Sequence, residues 1–308
     1  MKPTSFLQKE QQCNFVFNQN GPYWHFATPG LSTEIIFTSP DDYRFGMTLF
    51  AECAVANRIR VYNFELMSNH LHGIGSATKQ ACISFLEDYR KRMIRYAKAC
   101  GRSLNLDSFV CDPVPIADLD LMRNSIVYVS RNGYVVDSGY TPFSYPWGSG
   151  HLYFGPAVYP SVSLSYSKLS TIEKRTLTHS RTVSFPDYFM VKNGHIAPES
   201  FVDYRTGMMF FRDAHHYFSA LTKGIESYSA FASQFGDLIV LNDEEMYSAA
   251  RMLSAKRFNV DKPILLNNED KISLAKSLHF DYRASNTQIR RILKLDDNVI
   301  QSLFPKAL

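Results

Sequence analysis

Large apolar and polar residues alternate along Ile59–Leu66, IRVYNFEL, at the period of two that marks a half-buried strand. Ser68-Asn69 supplies a turn, and His70 to Ile74 is the predicted return strand of a hairpin. Helical patterns bracket this hairpin. Tyr43 to Asn57 carries an apolar face at 3.6-residue spacing, behind Asp41 and Asp42, which stand where a helix dipole favours acids. Lys79 to Cys100 is a second predicted helix, with Ile83, Leu86, Ile94 and Ala97 on its apolar side. Tyr23 to Phe26 reads as a short strand before the first helix, followed by an extended piece in TPGLSTEIIF. Phe109 to Ile116 is a further extended piece, and Asp118 caps a predicted helix running to about Asn132.

The order strand–helix–strand–strand–helix–strand predicts an α+β fold with a ferredoxin-like antiparallel sheet and helices on one face. A further helix follows it. From Tyr140 to about Val162 the chain is rich in Tyr, Pro, Gly and Ser and reads as a loop or domain edge. Residues 164–235 read as mostly helical, broken near Pro186 and Pro198. The last 70 or so residues give short helices capped by Ser285 and Asp296 and joined by KLDD, a pattern suited to a helix-turn-helix. The expected organisation is a domain over 1–155, a mostly helical connecting region over 156–240, and an α-helical C-terminal region over 241–308.

Composition narrows the class of protein. Apolar residues make up 45% of 308, which is ample core material, and a net charge of +4 permits a nucleic-acid partner without demanding one. Five widely spaced cysteines with no Cys-x-x-Cys argue against a disulfide framework or a zinc cluster, and fit a reducing cytoplasm. MKPTSFLQKEQQ lacks a hydrophobic signal region and no run approaches 18 apolar residues, so a cytoplasmic protein without a membrane partner is expected.

The hairpin carries the candidate chemistry. On a strand, residues two apart share a face, so His70 and His72 project together while Leu71 points into the core. Two neutral imidazoles on one face can hold a divalent ion and leave positions open for substrate and water. Chance alone supplies a His-x-His readily, and the pair gains meaning from a partner. That partner is the helix RNSIVYVSRNGYVV, where Tyr128 and Asn132 stand four apart on one face. Asn132 offers an amide oxygen to a hard ion, and Tyr128 offers a phenol as nucleophile.

These motifs resemble a family. ELMSNHLHGIG is similar to the His-hydrophobic-His (HUH) strand of REP-associated tyrosine transposases, usually Met-Pro-Asn-His-Val-His. IVYVSRNGYVV with SYPWGSGHLYF resembles their Tyr-Ile-x-x-Asn-Pro helix and Tyr-Pro-Trp-Ser-Ser stretch, and YWHFATPGLSTEIIF with DDYRF matches in position and character. The resemblance covers roughly residues 20–155. Ser68 and Gly133 stand where the family has proline. The resemblance implies an HUH nuclease fold in which His70, His72 and Asn132 bind Mg²⁺ or Mn²⁺ and Tyr128 attacks a DNA phosphodiester. A 5′-phosphotyrosine link and a free 3′-OH result, and the substrate is single-stranded DNA bearing a hairpin.

A DNA strand needs cations. Residues 79–102 hold seven Lys/Arg against two acids, more net charge than the whole chain carries. Lys79, Arg90, Lys91, Arg92, Arg95 and Lys98 are candidate phosphate contacts, with Tyr89 and Tyr96 interleaved for base stacking. Near the C-terminus Arg283, Arg290, Arg291 and Lys294 add charge, and Asn298 and Gln301 are placed to read base edges if Asp296 to Phe304 is a recognition helix. The other functional classes weighed are a non-catalytic DNA-hairpin binder derived from such a transposase, and a metal hydrolase using water. Against the hydrolase, the sequence shows no neighbouring carboxylates. Monomer and homodimer are both compatible with the sequence.

Overall fold

The computed structural model describes residues 6–28, 35–107, 109–136, 140, 143–155, 163–221, 243–280, 282 and 284–304. Four strands form the main sheet: β1 (Tyr23–Ala27), β2 (Arg60–Leu66), β3 (Leu71–Ser76) and β4 (Val114–Ile116). Their order is β2-β3-β1-β4, and every neighbouring pair is antiparallel. Helix α2 (Pro40–Ala56) connects β1 to β2, and α3 (Lys79–Ala99) connects β3 to β4. The fold is thus α+β, a small antiparallel sheet among many helices.

Local signals explain these elements. Ser39 caps α2 by accepting the Asp42 N–H while the Asp42 carboxylate reaches back to the Ser39 N–H, a reciprocal capping box. The Leu121 N–H donates to Asp118 Oδ1 at 2.7 Å, so Asp118 does cap α4 (Leu119–Val136). The β2–β3 turn closes by the Met67 N–H bond to His70 O, 2.8 Å, which makes Ser68-Asn69 the turn and Leu71 the first residue of β3. Val61 pairs with Gly75 and Asn63 with Ile74, so Tyr62 is the extra residue of a β-bulge.

Helices cover both faces of the sheet, which corrects the one-face expectation. Phe26, Val61, Phe64, Leu66 and Leu71 meet α2 and α3 in one apolar cluster. The opposite face, with Tyr23, Tyr62 and Ile74, packs on α4 through Ile126, Tyr128 and Val129. The period of two dictates this: a strand with apolar residues on both faces requires a layer on each side.

Three further differences concern elements with weak sequence signals. An unexpected helix, α1 (Phe6–Asn20), buries Cys13, Val16 and Phe17 against the α4 layer. Within Phe109–Ile116 only Val114–Ile116 is strand. The connecting region is not mostly helical where it is described. Residues 163–202 hold a second sheet, β5 (Leu164–Ser165), β6 (Met190–Lys192) and β7 (His195–Ile196), with one helix, α5 (Thr171–Thr178). Strands of two or three residues are too short to show alternation. Helices α6 (Tyr204–Met209) and α7 (Ala214–Leu221) follow, and residues 222–242 of the predicted helical region lie outside the described residues.

The C-terminal region is helical as expected: α8 (Asp243–Phe258), α9 (Asn268–Phe280), α10 (Asn286–Leu293) and α11 (Asp297–Leu303). Its core residues Leu253, Leu274, Leu278 and Leu293 belong to the same apolar cluster as Ile126 and Tyr128 of α4. Among the described residues no helix is long and apolar enough to cross a membrane.

Candidate active site

The hairpin and α4 meet on the face away from α2 and α3. Because β3 is pleated, Gly73 turns toward the Phe26 ring, where a Cβ would find no room, and His72 turns toward α4. His70 sits at the turn exit with its ring 4.9 Å from that of His72, centroid to centroid, at 88°. The Tyr128 ring lies 5.4 Å from His72 at 83°. The structure therefore brings His70, His72 and Tyr128 together. Asn132 is one helical turn beyond Tyr128 and 1% exposed, buried in the same layer.

Hydrogen bonds orient the histidines. His70 Nδ1 is 2.7 Å from Asn69 Oδ1, so Nδ1 is the donor in that contact. His72 Nδ1 is 3.3 Å from His25 Nε2, and the two rings stack at 5.4 Å. When His72 donates in that contact its own Nε2 is the basic nitrogen. Burial pushes the His72 pKa down to about 3, so this imidazole is neutral at ordinary pH. Partners of this kind on Nδ1 are what hold metal-binding imidazoles in the correct tautomer.

Two members of the site lie outside the His-x-His and Tyr-x-x-x-Asn spacings. His25 of β1 stacks on His72 and stands edge-on to Tyr128 at 6.1 Å. Period-two alternation along YWHFA, together with a sheet order that sets β1 beside β3, would point to it. Glu65 of β2 is directly opposite His72 in the sheet register, so a carboxyl does neighbour the histidines, which corrects the expectation of none. A turn of two residues fixes that pairing by counting outward from Met67 and His70. Glu65 Oε1 accepts the Gly133 N–H at 2.9 Å, just beyond Asn132, and burial raises its carboxyl well above the usual range. Asn63, also on this face, donates to Ile126 O and Ser130 Oγ, fixing α4 against the sheet.

The site is closed to solvent. Tyr128 is 2% exposed and His72 fully buried. The SYPWGS stretch runs beside β2, with the Leu66 N–H bonded to Trp147 O and the Tyr145 hydroxyl to Leu66 O, and Tyr145 packs against Gly133.

The donor types suit a divalent ion in their chemistry: two imidazoles with hydrogen-bond partners on Nδ1, that of His72 held neutral by burial, and the amide of Asn132 on the neighbouring helix. Among the described residues no group of three or more His, Cys, Asp or Glu side chains is arranged to hold a metal.

The predicted DNA contacts divide. The cations of α3 lie across the sheet from Tyr128, since α3 belongs to the opposite layer. Lys79 pairs with Asp112 at 3.0 Å and Lys91 with Glu87 at 3.3 Å, while Arg92 is ion-paired with the buried Glu52. Arg90 is partly buried, and Arg95 and Lys98 are exposed. Tyr89 and Tyr96 are not stacking platforms. Both are buried, Tyr89 bonding to Gly46 O and Tyr96 stacking on Phe45 at 4.1 Å. Their seven-residue spacing returns them to the core face of the helix. At the C-terminus Arg290 is held by both oxygens of Asp297, whereas Arg291, Asn298 and Gln301 are exposed. Arg283 lies outside the described residues.

No family model and no curated protein matches the chain. Among solved structures it resembles one titled "Structure of the REP associates tyrosine transposase bound to a REP hairpin", at 14% identity and a TM-score of 0.33, over 46% of this chain and 84% of that one. A likeness this slight bears on neither activity nor substrate.

Proposed function

We propose that the chain is a metal-dependent, single-tyrosine endonuclease and strand transferase acting on hairpin-bearing single-stranded DNA, of the HUH transposase kind. The observation that carries this reading is the Tyr128 ring packed 5.4 Å from His72, beside His70, on one face of the sheet. The β2-β3-β1-β4 order supports it, because it is the order of a ferredoxin-like split β-α-β sheet.

His70, His72 and Asn132 would hold Mg²⁺ or Mn²⁺, which when bound polarises a scissile phosphate and lowers the charge cost of the transition state. Tyr128 supplies the nucleophile. Its oxygen bonds to phosphorus as the phenol gives up its proton, the bond from phosphorus to the 3′-oxygen breaks, and that oxygen leaves as a protonated 3′-hydroxyl. Return of a 3′-hydroxyl reverses the step and joins strands without an external energy source. Burial of Tyr128 requires that DNA binding rearrange what packs over it.

That same burial favours one other reading, a hairpin-binding protein that no longer cuts. A single assay separates them. Purified protein is mixed with a labelled hairpin oligonucleotide from its own genomic flank and Mg²⁺ or Mn²⁺, and wild type is compared with Tyr128→Phe on a denaturing gel. A metal-dependent protein–DNA adduct in wild type, absent in the variant, is expected. Tight hairpin binding without an adduct in either protein would select the binding reading.

A further inference from the structure

Across the sheet from Tyr128, the second half of α3 and the turn after α5 border an open pocket of about 340 Å³. Arg92 and Arg95 form one wall. Ser180 and Thr182, from the turn, bring two hydroxyls, and His179 leans edge-on against the stacked rings of Tyr96 and Phe45, at 5.0 and 5.1 Å. Among the described residues no carboxylate lines the pocket. We infer that this pocket is a binding site for a phosphoryl group, built jointly by the basic helix and the α5 turn.

Three features support the assignment. Arg92 is pre-set: Glu52 holds one guanidinium nitrogen and Thr178 O accepts from the other at 3.0 Å, so the group is ordered before any ligand arrives. Arg95 has no ion pair among the described residues and stands close enough to lower the Arg92 pKa, after burial itself. Two neighbouring guanidinium groups and one carboxylate leave a positive excess, and a phosphate's several oxygens match forked donors and hydroxyls. His179 ends α5 in left-handed backbone angles, φ 48°, and the turn that follows sets the Ser180 and Thr182 hydroxyls 3.3 Å apart beside the two arginines. The open pocket has room for more than one phosphate, which suits a phosphoryl group carried by a free nucleotide or by the backbone of a strand lying along α3. The site is independent of the nicking reading, because the sheet separates it from Tyr128.

Calorimetric titration of the full chain with inorganic phosphate and thymidine 5′-monophosphate, and anisotropy with a short single-stranded thymidine oligonucleotide, test the inference. Arg95→Glu and Thr182→Val are compared with Arg175→Glu, which makes the same charge change on exposed α5 outside the pocket. Arg95→Glu is expected to weaken binding about tenfold or more, and Thr182→Val severalfold, with Arg175→Glu near wild type. That pattern with the monophosphate identifies a nucleotide site; the same pattern with the oligonucleotide alone identifies a strand phosphate. Binding of no probe, or equal losses in Arg175→Glu and Arg95→Glu, overturns the inference.

Discussion

Glu65 and Gly133 form a pair that accounts for glycine at position 133. Proline at 133 would have no N–H, and here that N–H is the donor to the buried Glu65 carboxyl. A side chain is excluded as well, since a Cβ at 133 would lie 2.7 Å from Glu65 Oε1 and strike the Tyr145 ring. Gly133→Pro is therefore expected to destabilise the chain by about 3 kcal/mol or more, read as a shift in the urea midpoint; an unchanged midpoint would refute the pairing. Charge adds a second consequence. Burial keeps Glu65 protonated in the fold at pH values where the unfolded chain ionises, above about pH 4.3. Its share of stability is full below that pH and declines as pH rises toward the folded value. Glu65→Gln keeps an oxygen for Gly133 and removes the ionisation, so the variant should gain on wild type as the pH rises through the range above about pH 4.3 in paired denaturant titrations. His72 titrates in both proteins and cancels in the difference. A constant gap across that range would show that Glu65 does not bind the proton.

Elements with a strong period or a cap were legible in the sequence: β2, the β3 return, α2, α3 and α4 stand within a few residues of their predicted ends. Strand spacing put His70 and His72 on one face and helix spacing put Tyr128 and Asn132 on another, while the meeting of the two faces was implied by the resemblance. What stayed hidden depended on partners distant in sequence. His25 and Glu65 join the site only through strand order and register, and α1 shows its apolar face only against α4. The β5–β7 sheet is too short to leave a pattern. In α3 the right element carried a wrong face, because tyrosines next to cations look like a stacking surface until the core spacing of Cys82, Phe85, Tyr89, Met93 and Tyr96 is followed. Tyr89→Phe tests that face. It removes the 3.2 Å bond to Gly46 O and should cost about 1 kcal/mol in thermal or urea unfolding, while leaving oligonucleotide affinity at the wild-type value. A loss of affinity without a loss of stability would return Tyr89 to the surface role.

At the scale of the molecule, the C-terminal helices and the tyrosine helix share one apolar cluster, from Tyr128 and Ile126 through Leu253 and Leu274 to Leu293 and Phe304. Helix α8 is the link, packing on α4 on one side and on α9 and α10 on the other. An appendage with its own core could lose stability without consequence for the site; a shared core transmits the loss. Leu274 is fully buried in α9, well away in sequence from Tyr128. Leu274→Ala should cost about 2–5 kcal/mol, for the lost transfer energy and the cavity left behind. If unfolding is cooperative across the cluster, amide hydrogen exchange at the most protected positions of α4 accelerates by the same free energy as exchange in α9. Acceleration confined to α8–α11, with α4 as slow as in wild type, would mean that the layer holding Tyr128 folds on its own and that the C-terminal helices are a separable addition.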